Sequence, residues 1–166
     1  MVLNMKYEYK QKLDDVLSEL EIIREWINKD RNKFDVKTKY LISYAVVKAS
    51  GTIETVFKQI IFDFLVFNAR QETSKYLEKM ILDSSSNPKT GNMSNILQNI
   101  SSEKRNIFDQ KVKESDKKDK LNSLVQLRND FAHGGNINIS IDTIITYYDA
   151  GRSILDILDD TINENV

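Results

Sequence analysis

The sequence predicts an all-α protein, a four-to-five-helix up-down bundle, on three observations. Only five of 166 residues are glycine and one is proline, apolar residues recur three and four positions apart over long stretches, and no segment alternates as a strand. A chain of this length buries roughly 70% of the surface it exposes unfolded, so a single domain spanning 1–166 with one core is expected. No internal repeat or heptad array is visible, which favours a compact bundle over a solenoid or a long coiled coil.

The first helix is expected from about Lys6 to about Lys29, where Leu13, Val16, Leu17, Leu20, Ile23 and Ile27 make one apolar stripe among charged residues. The second starts with Asp35 as N-cap and runs to about Arg70, carrying Tyr40, Leu41, Tyr44, Val47, Gly51, Glu54, Phe57, Ile60, Ile61, Phe64 and Leu65. Gly51 lies inside this pattern and, because glycine costs about 1 kcal/mol there relative to alanine, it predicts the close approach of a neighbouring helix. Residues 71–82 either prolong this helix or form a short one.

From Asp83 to Ser102 the chain turns polar and contains the one proline, which predicts a mobile connector with a single helical turn around Ile96. Residues Glu103–Lys120 are dominated by Lys, Asp and Glu and read as a solvated helix or loop, with Ile107, Phe108 and Val112 for a core face. A further helix is expected from about Lys118 to His133, stopped by Gly134-Gly135. The last follows from Ser140 as N-cap, with Ile141, Ile144, Ile145, Tyr148, Leu155, Leu158 and Ile162 inward. The aromatic residues Tyr40, Tyr44, Phe57, Phe62, Phe64 and Phe67 stand at helical spacing and are expected in the core or at a dimer interface rather than as base-stacking groups.

Composition narrows the function. The chain has no cysteine, so a disulfide framework, a thiolate nucleophile and Cys-ligated metal are excluded. The N-terminal stretch is too polar for a signal peptide, and the longest greasy run, Ile60–Phe67, is short and interrupted by Asp63, so a cytoplasmic protein with no membrane span is expected. With 24 basic against 25 acidic residues the net charge is −1, and any attraction to nucleic acid must come from a local patch.

One histidine and no cysteine allow active sites to be tested by subtraction. A di-iron bundle needs two Glu-x-x-His pairs and a zincin needs His-Glu-x-x-His, and neither can be built from His133 alone. Asp130-x-x-His133 offers two ligands and no further shell, and the glycines match no phosphate-binding loop, so neither metal nor cofactor is expected. What remains is Leu127-Arg128-Asn129-Asp130-Phe131-Ala132-His133-Gly134 at a helix end. Arginine and histidine suffice to cleave RNA without metal. An imidazole takes the 2′-hydroxyl proton or protonates the leaving 5′-oxygen, while a guanidinium binds the scissile phosphate in bidentate fashion. Positions five apart lie about 140° apart around an ideal helix. Convergence therefore requires either departure from helical geometry at His133 or two copies of the segment facing each other across a dimer axis. Asn129, four before His133, shares its face and is positioned to orient the imidazole; Glu54, a carboxylate in an apolar helix, is a candidate to pair with Arg128.

The stretch Leu124–Gly134, followed by a polar loop and a closing amphipathic helix, resembles the HEPN family and most of all its RiboL-PSP and MAE-type branches. The family pattern is Arg, four residues and His, with a polar residue after the Arg, and Arg128, Asn129 and His133 occupy those places. Ser50-Gly51-Thr52-Ile53-Glu54 resembles the neighbouring family helix that carries a polar or acidic residue. The resemblance spans about Val36 to Ile162 and implies a bundle of HEPN type. It also implies a metal-independent endoribonuclease, homodimeric with an interfacial active site, leaving 2′,3′-cyclic phosphate and 5′-hydroxyl ends. His133 and Arg128 would be catalytic, with Asn129 and Glu54 in support. The resemblance further implies a toxin or antiphage-defence effector, with a cognate antitoxin or effector protein as partner. The chain departs from one toxin branch, which has a tyrosine two residues after its histidine, where Gly135 stands here.

Two non-catalytic readings compete with this one. The bundle would serve as a dimerisation or interaction module docking on a partner protein, or as a nucleic-acid adaptor using Lys111, Lys113, Lys117, Lys118 and Lys120. Alanine at Arg128 and His133 separates the first from the nuclease, and charge reversal of the lysines tests the second.

Overall fold

Around one long central helix, α2 (Val36–Val66), the computed structural model arranges α1 (Tyr7–Ile27), α6 (Lys118–Ala132) and α7 (Ile141–Asn163). It describes residues 5–164, with residues 30 and 31 as backbone only; the ends of the expected domain, 1–4 and 165–166, lie outside the described residues. Three shorter helices complete the bundle: α3 (Gln71–Leu77, continued by a wider turn over Glu78–Leu82), α4 (Thr90–Ile100) and α5 (Ser102–Ser115). The protein is all-α, with seven α-helices and no strand among the described residues.

The four long helices follow their sequence signals. Asp35 caps α2 by accepting from the Lys37 N–H at 2.8 Å, and Ser140 caps α7 by accepting from the Thr143 N–H at 3.1 Å. All of the residues expected to face inward on α7 are buried, as are those of α1 apart from the half-buried Leu17. After α2 the chain turns at Asn68, which has φ of 59°, a left-handed conformation that asparagine tolerates better than most residues. Residues 71–82 therefore form an element of their own rather than prolonging α2.

The α2 stripe differs from the expected one. The buried face consists of Ile42, Ala45, Val46, Ala49, Ile53, Val56, Phe57, Ile60 and Ile61, whereas Tyr40, Tyr44 and Val47 are exposed. The alanines let neighbouring helices come close, and the larger aromatics are turned outward beside Gly51. Among the described residues nothing from another element approaches Gly51: a Cβ there would meet no such atom within 4 Å. The close approach occurs instead at Gly151 on α7, where a Cβ would lie 2.9 Å from Ile53 Cδ1 and 3.2 Å from Leu121 Cδ1. Of the aromatic set, only Phe57 is fully buried; Phe67, like Tyr40 and Tyr44, is exposed.

The polar stretch 83–102 is not a connector with one turn. Thr90, Met93, Ser94 and Leu97 recur three and four apart and are buried, which makes α4 a three-turn helix with a narrow inner face. Its serine is paired rather than exposed, for the Ser94 hydroxyl donates to Asp109 at 3.0 Å across to α5. The extended part is confined to residues 83–89, where Asn92 Nδ2 donates to Ser86 Oγ at 2.9 Å and to the Asn87 carbonyl at 2.8 Å. α5 is the solvated helix anticipated from its charge, with Phe108 and Val112 as its buried face.

Candidate functional site

α6 lays Leu121, Leu124 and Val125 into the core, which leaves Arg128 at the margin of its buried face and turned toward α2. The guanidinium donates from NH2 to Glu54 Oε2 at 3.3 Å and from NH1 to Asn129 Oδ1 at 3.1 Å. Its side chain keeps 35% of its exposure, whereas that of Glu54 keeps 13%. The pairing anticipated for Glu54 is present. Asn129 lies beside Arg128 instead of reaching the imidazole, because its amide oxygen is taken by the guanidinium of the preceding residue.

The other oxygen of Glu54 is also occupied. Lys58, one turn along α2, places Nζ 2.8 Å from Glu54 Oε1 with only 11% of its side chain exposed. The same ammonium donates to the Ser84 carbonyl, and the Ser86 N–H donates to Glu54 Oε1 at 3.3 Å. One half-hidden carboxylate thus gathers Arg128, Lys58 and the extended 83–89 segment. Lys58 was not foreseen, although a Glu and a Lys four apart within an apolar helix are a signal for a charge pair at its margin.

His133 stands where α6 ends. Its backbone has φ of −95° and ψ of 16°, so it has already left helical geometry, and its side chain is exposed. The next two residues close the helix. The Gly134 N–H donates to the Phe131 carbonyl at 3.0 Å and the Gly135 N–H to the Asp130 carbonyl at 2.8 Å, the paired bonds of a Schellman turn. Gly134 has φ of 86°, and a Cβ on Gly135 would lie 2.7 Å from the Asp130 carbonyl oxygen. This turn leaves no room for a side chain at 135 without a shift of the backbone. The carboxylate of Asp130, the other residue of the Asp130-x-x-His133 spacing, accepts from Gln126 Nε2 at 2.7 Å.

On the outer face of α2, N-terminal to Glu54, Tyr40, Tyr44 and Val47 are exposed and Gly51 half-buried. Of the lysines of the rival adaptor reading, Lys113 and Lys118 line a hollow at the α5–α6 corner with Asp109, Asp116 and Asp119, whereas Lys111 pairs with Glu164. Across the length of α6 that corner is about 20 Å from the His133 end. These lysines contribute nothing to the site. No described helix is long and apolar enough to cross a membrane.

Comparison with curated proteins and with solved structures returns no match. The sequence model of the RiboL-PSP-HEPN family matches residues 13–164, from the middle of α1 to the end of α7, and so includes Glu54, Arg128 and His133. The chain belongs to the RiboL-PSP-HEPN family of helical domains, and its role is RNA-related and of the nuclease kind.

Proposed function

We propose that the protein is a metal-independent endoribonuclease acting on single-stranded or looped RNA as a homodimer. His133 serves as general acid or base and Arg128 binds the scissile phosphate, with Asn129 and Glu54 orienting the guanidinium. The 2′-oxygen, losing its proton to an imidazole, forms a bond to phosphorus. The bond from phosphorus to the 5′-oxygen breaks, and that oxygen takes a proton, leaving a 2′,3′-cyclic phosphate and a 5′-hydroxyl. Each chain has one histidine, so a two-fold pair of chains supplies one imidazole for each proton transfer.

The observation that carries this reading is that one helix, α6, bears both an exposed His133 at its end and a guanidinium, Arg128, held by Glu54 and partly exposed. Support for the dimer comes from Tyr40, Tyr44 and Val47, exposed on the outer face of α2, and from Gly51 on the same helix, where a second helix would meet no Cβ. In this reading the protein is a cytoplasmic toxin or antiphage-defence effector, held in check or directed by a cognate antitoxin or effector protein. The same face favours, as second reading, an interaction module that docks without cutting.

Incubation of the purified chain with total RNA in excess EDTA, with chemical mapping of the ends, decides between them. Wild type is expected to leave 2′,3′-cyclic phosphate ends, and His133→Ala is expected to lose about 10²–10⁴-fold in rate. Folded, dimeric wild-type protein that leaves RNA intact favours the interaction module.

A further inference from the structure

We propose that Lys58 is a positioning residue whose charge offsets that of Glu54 so that Arg128 remains free to bind phosphate. The inference rests on the nuclease reading above and concerns the same site. Glu54, the residue that holds Arg128, is itself an anion 13% exposed at the place where an RNA phosphate must come. Alone with Arg128 it would form a neutral pair, and a carboxylate facing a guanidinium in this setting draws it into a bidentate contact that fills the donors a phosphate needs.

The arrangement prevents this. Lys58 Nζ and the Ser86 N–H both occupy Oε1 of Glu54, at 2.8 and 3.3 Å, leaving only Oε2 for a single 3.3 Å contact with Arg128 NH2. The trio of one carboxylate and two cations carries one surplus positive charge, and the exposed member of the trio is Arg128. Lys58 is fixed in turn by the Ser84 carbonyl, so the extended segment 83–89 acts as the clamp that holds the ammonium on Oε1. The surplus is available to RNA only because Lys58 is present.

Cleavage of a single-stranded RNA by the full-length protein, with Lys58→Met, Glu54→Gln and the double variant, tests this. Lys58→Met is expected to lower the rate about 10–100-fold and to weaken binding of a non-cleavable 2′-deoxy substrate analogue, since the trio then carries no net charge. In the Glu54→Gln background Lys58→Met still removes one positive charge, from two to one, but no carboxylate remains to capture Arg128, so the further loss is expected to stay within a few-fold, well below that in the wild-type background. The double variant should therefore bind the analogue more tightly than Lys58→Met alone, and Lys58→Arg should stay within a few-fold of wild type. A role in packing alone would give the same loss in both backgrounds, and that result would overturn the proposal, as would unchanged cleavage by Lys58→Met. If Lys58→Met does not fold, the comparison of Glu54→Gln with the double variant still decides. Failure of wild type itself to cut RNA refutes the nuclease reading, and a weakening of analogue binding by Lys58→Met of about 10-fold or more in the Glu54→Gln background then refutes the role of Lys58 separately.

Discussion

Two acidic residues on α2, Glu54 and Asp63, each gather partners from elsewhere in the fold, and they do so with opposite electrostatic results. Glu54 is shared by Lys58 and Arg128, so its surroundings are left with surplus positive charge beside an open face. Asp63 accepts from Lys6 Nζ at 2.6 Å, from Gln59 Nε2 at 3.0 Å and from the Tyr9 hydroxyl. Burial alone would raise its pKa, yet the hydrogen bonds from Lys6, Tyr9 and Gln59 together hold Asp63 below the ordinary carboxylate range. The same cleft, however, also contains Asp159, 5% exposed, whose carboxyl is pushed up to about 6 by burial first and then by Asp160 and Asp156. The middle of α2 therefore has two cations around one carboxylate, whereas its C-terminal end sets its cation among carboxylates that burial disfavours. The difference teaches that a charged residue in an apolar helix is informative only with the count of opposite charges around it.

The largest expected effect that sharpens this contrast is on stability at the first site. Glu54→Ala strips Lys58 and Arg128 of their shared anion and leaves an ammonium 11% exposed. A loss of about 3 kcal/mol is expected in urea denaturation. Next comes the pH response of the second site. The raised carboxyl of Asp159 contributes stability that is fully present below about pH 4 and is lost as pH rises through about 6, because the native form holds its proton more tightly than the unfolded chain does. Asp159→Asn is expected to raise stability at pH 7 by about 2 kcal/mol and to flatten the change in Tm between pH 4 and 7. An unchanged pH dependence in the variant would show that Asp156, raised by burial and by Asp160, dominates instead. The smallest effect belongs to Lys6→Ala, since that side chain is 61% exposed; a loss under about 1 kcal/mol, diminished by salt, is expected in the same denaturation assay.

Much of this was legible in the residues, and the parts that were not have physical reasons. The end of α6 could be read because Gly134-Gly135 after an amphipathic run is a local signal, and local hydrogen bonds realise it. α4 was hidden because its inner face is built partly from Thr90 and Ser94, polar side chains that are buried through partners on other helices. Gly51 and Gly151 look alike in sequence, and only the packing of α7 on Ile53 and Leu121 distinguishes the glycine that needs its lost Cβ from the one that does not. Within the site, Arg128 and Glu54 were foreseen as a pair, whereas Asn129 was assigned to the imidazole because helical spacing gives a shared face but not a choice of partner. Lys58 escaped notice because its importance depends on Ser84, 26 residues away in sequence.

The Schellman turn after α6 separates two tasks that a catalytic loop usually combines. His133 is placed by main-chain bonds from its own N–H and from those of Gly134 and Gly135, all to carbonyls between Asn129 and Phe131. The anchoring thus uses no side chain of the following residues, Asn136–Ile139, which run on to the cap of α7. On the nuclease reading proposed above, substitutions accumulating at the exposed positions of that stretch would alter which molecules the surface admits while the backbone that carries His133 stays in place, leaving selectivity free to drift.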